Sequence, residues 1–226
     1  MIDVQFIICS NKDEFFQIAS NHIYLLRVPE EVNIQVLRVS GATSMTSGYN
    51  YAMRRSSAKY KIYMHQDVYI INPNFIFDLI GLFQSDRKLG LIGMVGAKHL
   101  PKNGIWWEAA QKYGRVIENR VTYRYLDFDG ITDPVQYVDA VDGLLMATQY
   151  DLPWMEELFD GWHFYDSAQS LEFRRAGYKV GVVKQTDPWC IHDMGSGHTF
   201  DVSSYNKYRR IFVEKYKCFL TTNDII

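Results

Sequence analysis

The sequence predicts an α/β fold: one domain with a mostly parallel central sheet and helices on both faces. Three observations predict it. Short, largely apolar runs, such as Val4 to Cys9 and Leu91 to Val95, read as strands covered on both faces. Between them lie segments with apolar residues at helical spacing. The two kinds alternate four times in the first hundred residues, the order that crossover helices and a parallel sheet require.

Each element has its own signal. After Val4 to Cys9, Asn11-Lys12-Asp13-Glu14 offers an N-cap and an acidic N3 residue, and Phe15, Ile18, Ala19 and Ile23 follow at helical spacing. Ile34, Val36, Leu37 and Val39 read as the second strand and residues 48–57 as the second helix. Tyr60 to Ile70, YKIYMHQDVYI, is a third strand whose apolar run meets His65-Gln66-Asp67. Asn72-Pro73 then opens a helix with Ile76, Leu79, Ile80 and Phe83 on one face. In the second half, Tyr113 to Glu118, Val135 to Asp139 and Gly143 to Thr148 read as strands, while residues 102–133 are polar and aromatic without a clear period. Asp166 to Ala176 is a helix closed by Gly177, Lys179 to Val183 and Trp189 to His192 are strands, and Phe200 to Phe219 is mostly a terminal helix. No repeat or linker interrupts residues 1–226, so one domain is expected.

Composition narrows the function. With 47% apolar and 22% charged residues the chain can bury a full core. Its 24 basic and 26 acidic residues lack the basic excess of a nucleic-acid binder. Cys9, Cys190 and Cys218 are too sparse, and odd in number, for a disulfide framework, which fits a reducing compartment. The N-terminal apolar run follows Asp3 rather than a basic start, and no run reaches the length of a membrane span. A soluble cytoplasmic protein is expected, with peripheral membrane attachment and a homo-oligomer both left open. The aromatic share, 15%, suits ring contacts with sugars or bases as well as a core.

Ligands of parallel sheets bind beyond the carboxyl ends of the strands. Cys9-Ser10, Ser40-Gly41, His65-Gln66-Asp67 and Gly96-Ala97 all fall on that edge. His65 and Asp67, at i and i+2 on a strand, share a face and can reach one ion; a carboxylate suits Mg²⁺ or Mn²⁺, and the imidazole shifts the preference toward Mn²⁺ and later metals. The alternative is a polar turn at a strand end. His192 ends a short strand before Gly195 and Gly197, either as a ligand under a glycine-bearing lid or as an incidental loop residue. Asp166, followed by Gln169, reads as a helix cap of the Asp-x-x-Gln kind, which explains the residue without catalysis.

Together these segments carry a resemblance. GYNYAMRRSSAKYKIYMHQDVYI resembles the segment of family 2 glycosyltransferases in which an Asn opens a helix and a strand delivers Asp-x-Asp, and Asn50 stands seventeen residues before Asp67, as in that family. FYDSAQSLEFRRAGYKVGVV resembles the Glu-Asp-x-Asp-Leu helix, WCIHD the strand ending in a metal-binding His, and VDGLLMAT the strand between donor and acceptor halves. HQDVYI, GMVGAK and HFYD are similar to a bacterial branch described as streptomycin-biosynthesis-type glycosyltransferase-like proteins, in bacterial polysaccharide biosynthesis. The resemblance implies a GT-A (Rossmann-like) fold, with residues 1–100 as the nucleotide-sugar half and 101–226 as the acceptor and catalytic half.

It also implies roles. Asp67 matches the metal and diphosphate contact, His65 the first position of Asp-x-Asp, which helps hold ribose or metal, and His192 the third metal ligand. Asp166 matches the general base, and Ser10, Asn50 and Gln66 fall in the nucleotide-binding segments. The implied partners are a nucleotide-diphosphate sugar donor, a saccharide or other hydroxyl acceptor, and Mn²⁺ or Mg²⁺. Inverting transfer follows from a single base. The chain departs from the pattern at His65, where an acid is usual, at Tyr165 and Ala168, which replace acids around the base, and at Val39-Ser40-Gly41, which lacks the acidic uracil grip. Those departures keep a second reading open, a non-catalytic nucleotide-sugar or carbohydrate binder. A nucleotidyltransferase is disfavoured, because CSNKDEF has no glycine and a single Lys to hold a triphosphate.

Overall fold

The N-terminal apolar run becomes β1 (Ile2–Cys9), buried from Val4 onward. The computed structural model describes residues 1–195 and 200–221, so the expected glycine lid at Gly197 and His198 lies outside the described residues. After β1 come α1 (Asp13–Tyr24), β2 (Val32–Val39), α2 (Met45–Met53), β3 (Tyr60–His65), β4 (Val68–Ile70), α3 (Phe75–Ser85) and β5 (Leu89–Gly93). The chain continues through β6 (Val95–Ala97), a 3₁₀ turn (Trp106–Glu108), β7 (Lys112–Asn119), β8 (Tyr123–Asp127), β9 (Val135–Tyr137), β10 (Ala140–Val141) and β11 (Leu145–Thr148). It closes with α4 (Tyr165–Arg175), β12 (Lys179–Val183), β13 (Cys190–Asp193) and α5 (Val202–Tyr216).

The central sheet has seven strands in the order β2-β1-β3-β11-β5-β12-β9. β2, β1, β3, β5 and β12 run the same way, and only β11 and β9 oppose them, so the sheet is mostly parallel as expected. β11 lies between β3 and β5, which places the turn before Leu145 beside the end of β3. A second sheet, β10-β6-β7-β13-β4 with β8 added to β7, was not expected. Its strands are two to eight residues long, and most pair with segments far away in sequence. Such strands leave little local pattern.

The second sheet explains the untidy end of YKIYMHQDVYI. That stretch is not one strand: β3 stops at His65, Gln66 and Asp67 turn, and β4 leaves to pair with β13. The polar turn and the His65–Asp67 pair are one feature.

Other boundaries move for local reasons. α2 begins at Met45 rather than Gly48, because Ser44 and Ser47 form a reciprocal capping box. Asn11 does not cap α1; its side chain accepts from the Gly41 amide, and Lys12 takes the cap position. α3 starts at Phe75, with Asn72 accepting from the Asn74 amide. α4 starts at Tyr165 after Phe164, which takes the left-handed conformation with φ of 61° and caps nothing. The cap expected of Asp166 and Gln169 is therefore absent: Gln169 donates instead to the Leu152 carbonyl. Gly177 takes the expected C′ position at φ of 85°. Among the described residues no helix is long and apolar enough to cross a membrane.

Candidate active site

Three side chains, from two strands and the turn between β3 and β4, meet at the carboxyl edge of the central sheet. β3 delivers His65, the turn after it delivers Asp67, and β13 brings His192 by pairing it with Val68. The Asp193 amide also donates to the Asp67 carbonyl at 2.7 Å, which locks the two segments together. Asp67 Oδ1 lies 4.0 Å from His65 Nδ1 and 3.6 Å from His192 Nε2. One ligand atom from each lies within 4.8 Å of the others. Two atoms each about 2.1 Å from one ion are at most about 4.2 Å apart, so the group fits a divalent cation after small closing movements. Two imidazoles and a carboxylate are a donor set for Mn²⁺ and its neighbours.

Beside this cluster lies a pocket of about 220 Å³, lined by Cys9, Ser10, Asn11, Val39, Gln66 and Trp162 among others. The Ser10 hydroxyl donates to Gln66 Oε1 at 2.9 Å, tying the end of β1 to the turn after β3. Burial pushes the Cys9 thiol up to about 12, so it is no thiolate nucleophile.

A pair of carboxyl groups brackets the turn before β11. Asp166 accepts from the Gly143 amide at 2.9 Å and from the Ser167 amide at 2.7 Å. Asp142 accepts from the Leu144 amide at 2.8 Å and from the Trp106 indole N–H at 3.1 Å. Burial raises both groups above the usual carboxylate range. His65 partly offsets this at Asp142, whereas at Asp166 the Asp142 charge adds to it and pushes the group up to about 7. The His65 amide donates to the Leu144 carbonyl at 3.0 Å, so the same turn is pinned to the end of β3. Gly143 is required here: a Cβ would lie 2.3 Å from Tyr165 Oη.

The sequence profile of the glycosyltransferase-like family matches residues 5–216. The chain belongs to that family. No curated protein sequence matches it. Three solved structures show the family's fold. GalNAc-T7 with UDP, GalNAc and Mn²⁺ superposes with a TM-score of 0.61 at 12% identity, over 93% of this chain and 47% of that one. TarS 1–349 of S. aureus with UDP gives 0.53 at 11%, over 85% and 60%. The mannosyltransferase PcManGT of Pyrobaculum calidifontis with GDP-Man and Mn²⁺ gives 0.53 at 10%, over 95% and 64%. This chain thus spans about half to two thirds of these neighbours, which share the GT-A arrangement.

The expected site residues do not all converge. His65, Asp67 and His192 form one cluster, Ser10 and Gln66 the adjoining pocket, and Asp166 the carboxyl pair. Asn50 stands apart, buried, with its amide spent on the backbone of Trp154: Nδ2 donates to the carbonyl at 2.8 Å and Oδ1 accepts from the amide at 2.9 Å. Asn50→Ala strands both backbone groups. It is expected to cost about 2–4 kcal/mol in urea unfolding while leaving the nucleotide affinity of the folded protein unchanged in calorimetry. Trp106 is buried, and its indole N–H donates to Asp142, whereas Trp107 and Trp162 are 46% and 45% exposed. Asp142 itself was not singled out from the sequence. In the sequence it is only part of the VDGLLMAT stretch, and the fold alone sets it beside the turn that Asp166 holds.

Proposed function

We propose that the chain is a metal-assisted inverting glycosyltransferase, moving a sugar from a nucleotide-diphosphate donor to a hydroxyl acceptor. One observation carries this: a pocket at the end of β1, a His-Asp-His cluster and a carboxyl group with raised proton affinity lie side by side on one sheet edge. The neighbours solved with UDP, GDP-Man and Mn²⁺ support the donor class.

The nucleoside lies in the pocket against Ser10 and Gln66, and its diphosphate points toward Asp67. A divalent cation on His65, Asp67 and His192 would neutralise the leaving diphosphate, a contribution of several kcal/mol. Asp166 takes the proton from the acceptor hydroxyl as its oxygen attacks the anomeric carbon on the face opposite the diphosphate. A single base suffices, because no covalent intermediate forms. Trp107 offers an exposed ring face for the acceptor, and Trp162 one that the donor pocket shares, within a half running from 101 to 226 that complements the donor half, 1–100.

Thermal-shift screening of UDP-, GDP- and dTDP-sugars with Mn²⁺ tests this. A donor at about a hundred times its Kd adds about 2.7 kcal/mol, or about 5–10 °C for a chain of this size. No shift with any donor removes the reading. A shift without release of nucleoside diphosphate, across an acceptor screen, establishes the non-catalytic binder instead. That outcome is the one favoured by the neutral Tyr165 and Ala168, both buried where acids stand in the resembling family.

A further inference from the structure

Two of the three positions where this chain exchanges an acid for another side chain, His65 and Tyr165, touch each other: His65 Nε2 lies 2.5 Å from Tyr165 Oη. Resting on the metal-assisted reading above, we propose that Tyr165 is a positioning residue that fixes His65 as an Nδ1 metal ligand. The pair thereby adapts the site to Mn²⁺ and other imidazole-tolerant ions over Mg²⁺.

The two nitrogens of His65 have divided partners. Nδ1 faces Asp67 Oδ1 at 4.0 Å, and Nε2 faces the phenol. An imidazole that ligates through Nδ1 carries its proton on Nε2 and needs an acceptor there, which sets ring orientation and tautomer. Tyr165 Oη is that acceptor. Its oxygen is held in place: the residue is 3% exposed, its ring packs edge-on to Tyr49 and against Trp154, and its hydroxyl occupies the space a Cβ on Gly143 would need.

Charge supplies the reason for a phenol. An acid at 165 would bury a third carboxylate beside Asp142 and Asp166, whereas a phenol accepts the same hydrogen bond without charge. With an imidazole at 65 there is one fewer anionic ligand to attract the ion, and its softer nitrogen favours Mn²⁺, Co²⁺ or Zn²⁺ over Mg²⁺, which prefers oxygen. The two exchanges make sense only together.

Mn²⁺ titration of the full chain, followed by electron paramagnetic resonance, tests this. Tyr165→Phe keeps the ring and is expected to weaken Mn²⁺ binding about 10- to 100-fold. In a His65→Ala background the same change is expected to add nothing. His65→Asp is expected to let Mg²⁺ displace Mn²⁺ more readily than in the wild type. In the metal-free wild type, imidazole nitrogen NMR is expected to show the His65 Nε2–H tautomer, a readout that needs no variant to fold. Unchanged Mn²⁺ affinity in Tyr165→Phe, an equal loss in the His65→Ala background, unchanged Mg²⁺ competition in His65→Asp, or an Nδ1–H tautomer would each overturn the proposal. A wild type that binds no Mn²⁺ would bring down the metal-assisted reading as well.

Discussion

Asp166→Asn is expected to lower kcat by about 10²–10⁴-fold, the usual contribution of a positioned base, with donor binding intact. The carboxylate is held by the amides of Gly143 and Ser167, so its lone pairs are oriented before any acceptor arrives. An Asn keeps the shape and one of the two acceptor sites but cannot take a proton. The base works only when ionised, and burial and Asp142 push it up to about 7. Hence kcat/KM rises with pH through about 7 and levels above it.

The same raised proton affinity has a cost in stability, and its sign is fixed. The folded protein holds a proton that the unfolded chain has already released between the ordinary carboxylate range and about 7, so this site contributes less stability as pH rises through that window. Asp166→Asn removes that dependence, and its Tm at pH 8 is expected to be no lower than the wild type's. An inactive variant with an undiminished Tm separates lost chemistry from lost structure. Turnover within about threefold of the wild type would remove Asp166 from the mechanism, because even the weaker base contributions are about 100-fold.

How much of this was legible beforehand depended on whether the cause was local. β1, β5 and β12 were readable because a strand buried on both faces writes a nearly continuous apolar run, broken in β1 within its buried part only by Gln5. His65, Asp67, His192 and Asp166 were readable as candidates from spacing and resemblance. What joins them was not. β4 and β13 are three and four residues long, and their pairing, which carries His192 to Asp67, has no local signature. The cap expected at Asp166 is absent because α4 already begins at Tyr165, and one oxygen of the carboxylate is taken by Gly143 from a distant turn. The contact between His65 and Tyr165 was invisible for the same reason: each residue on its own reads as the loss of an acid.

Asp67→Ala is the second large effect expected, and it falls on binding rather than on turnover. Asp67 supplies the one negative charge in a ligand set otherwise made of two imidazoles, and its Oδ1 is the atom facing both of them. Loss of outer-shell partners costs metal sites about 10–100-fold, so removal of the central ligand is expected to cost at least about 100-fold. The fold is expected to survive. It is the Asp67 carbonyl that accepts from the Asp193 amide, and alanine retains that bond between the turn and β13. In calorimetry with UDP and GDP, the wild type is expected to bind its nucleotide much more tightly with Mn²⁺ than with EDTA. Asp67→Ala with Mn²⁺ is expected to match the wild type with EDTA, since both lack the bridge between carboxylate and diphosphate. The comparison isolates the ion's share from the pocket's, because Ser10 and Gln66 remain in place in every arm. Equal wild-type affinity with and without Mn²⁺ would mean that the three side chains hold no ion that matters to the donor.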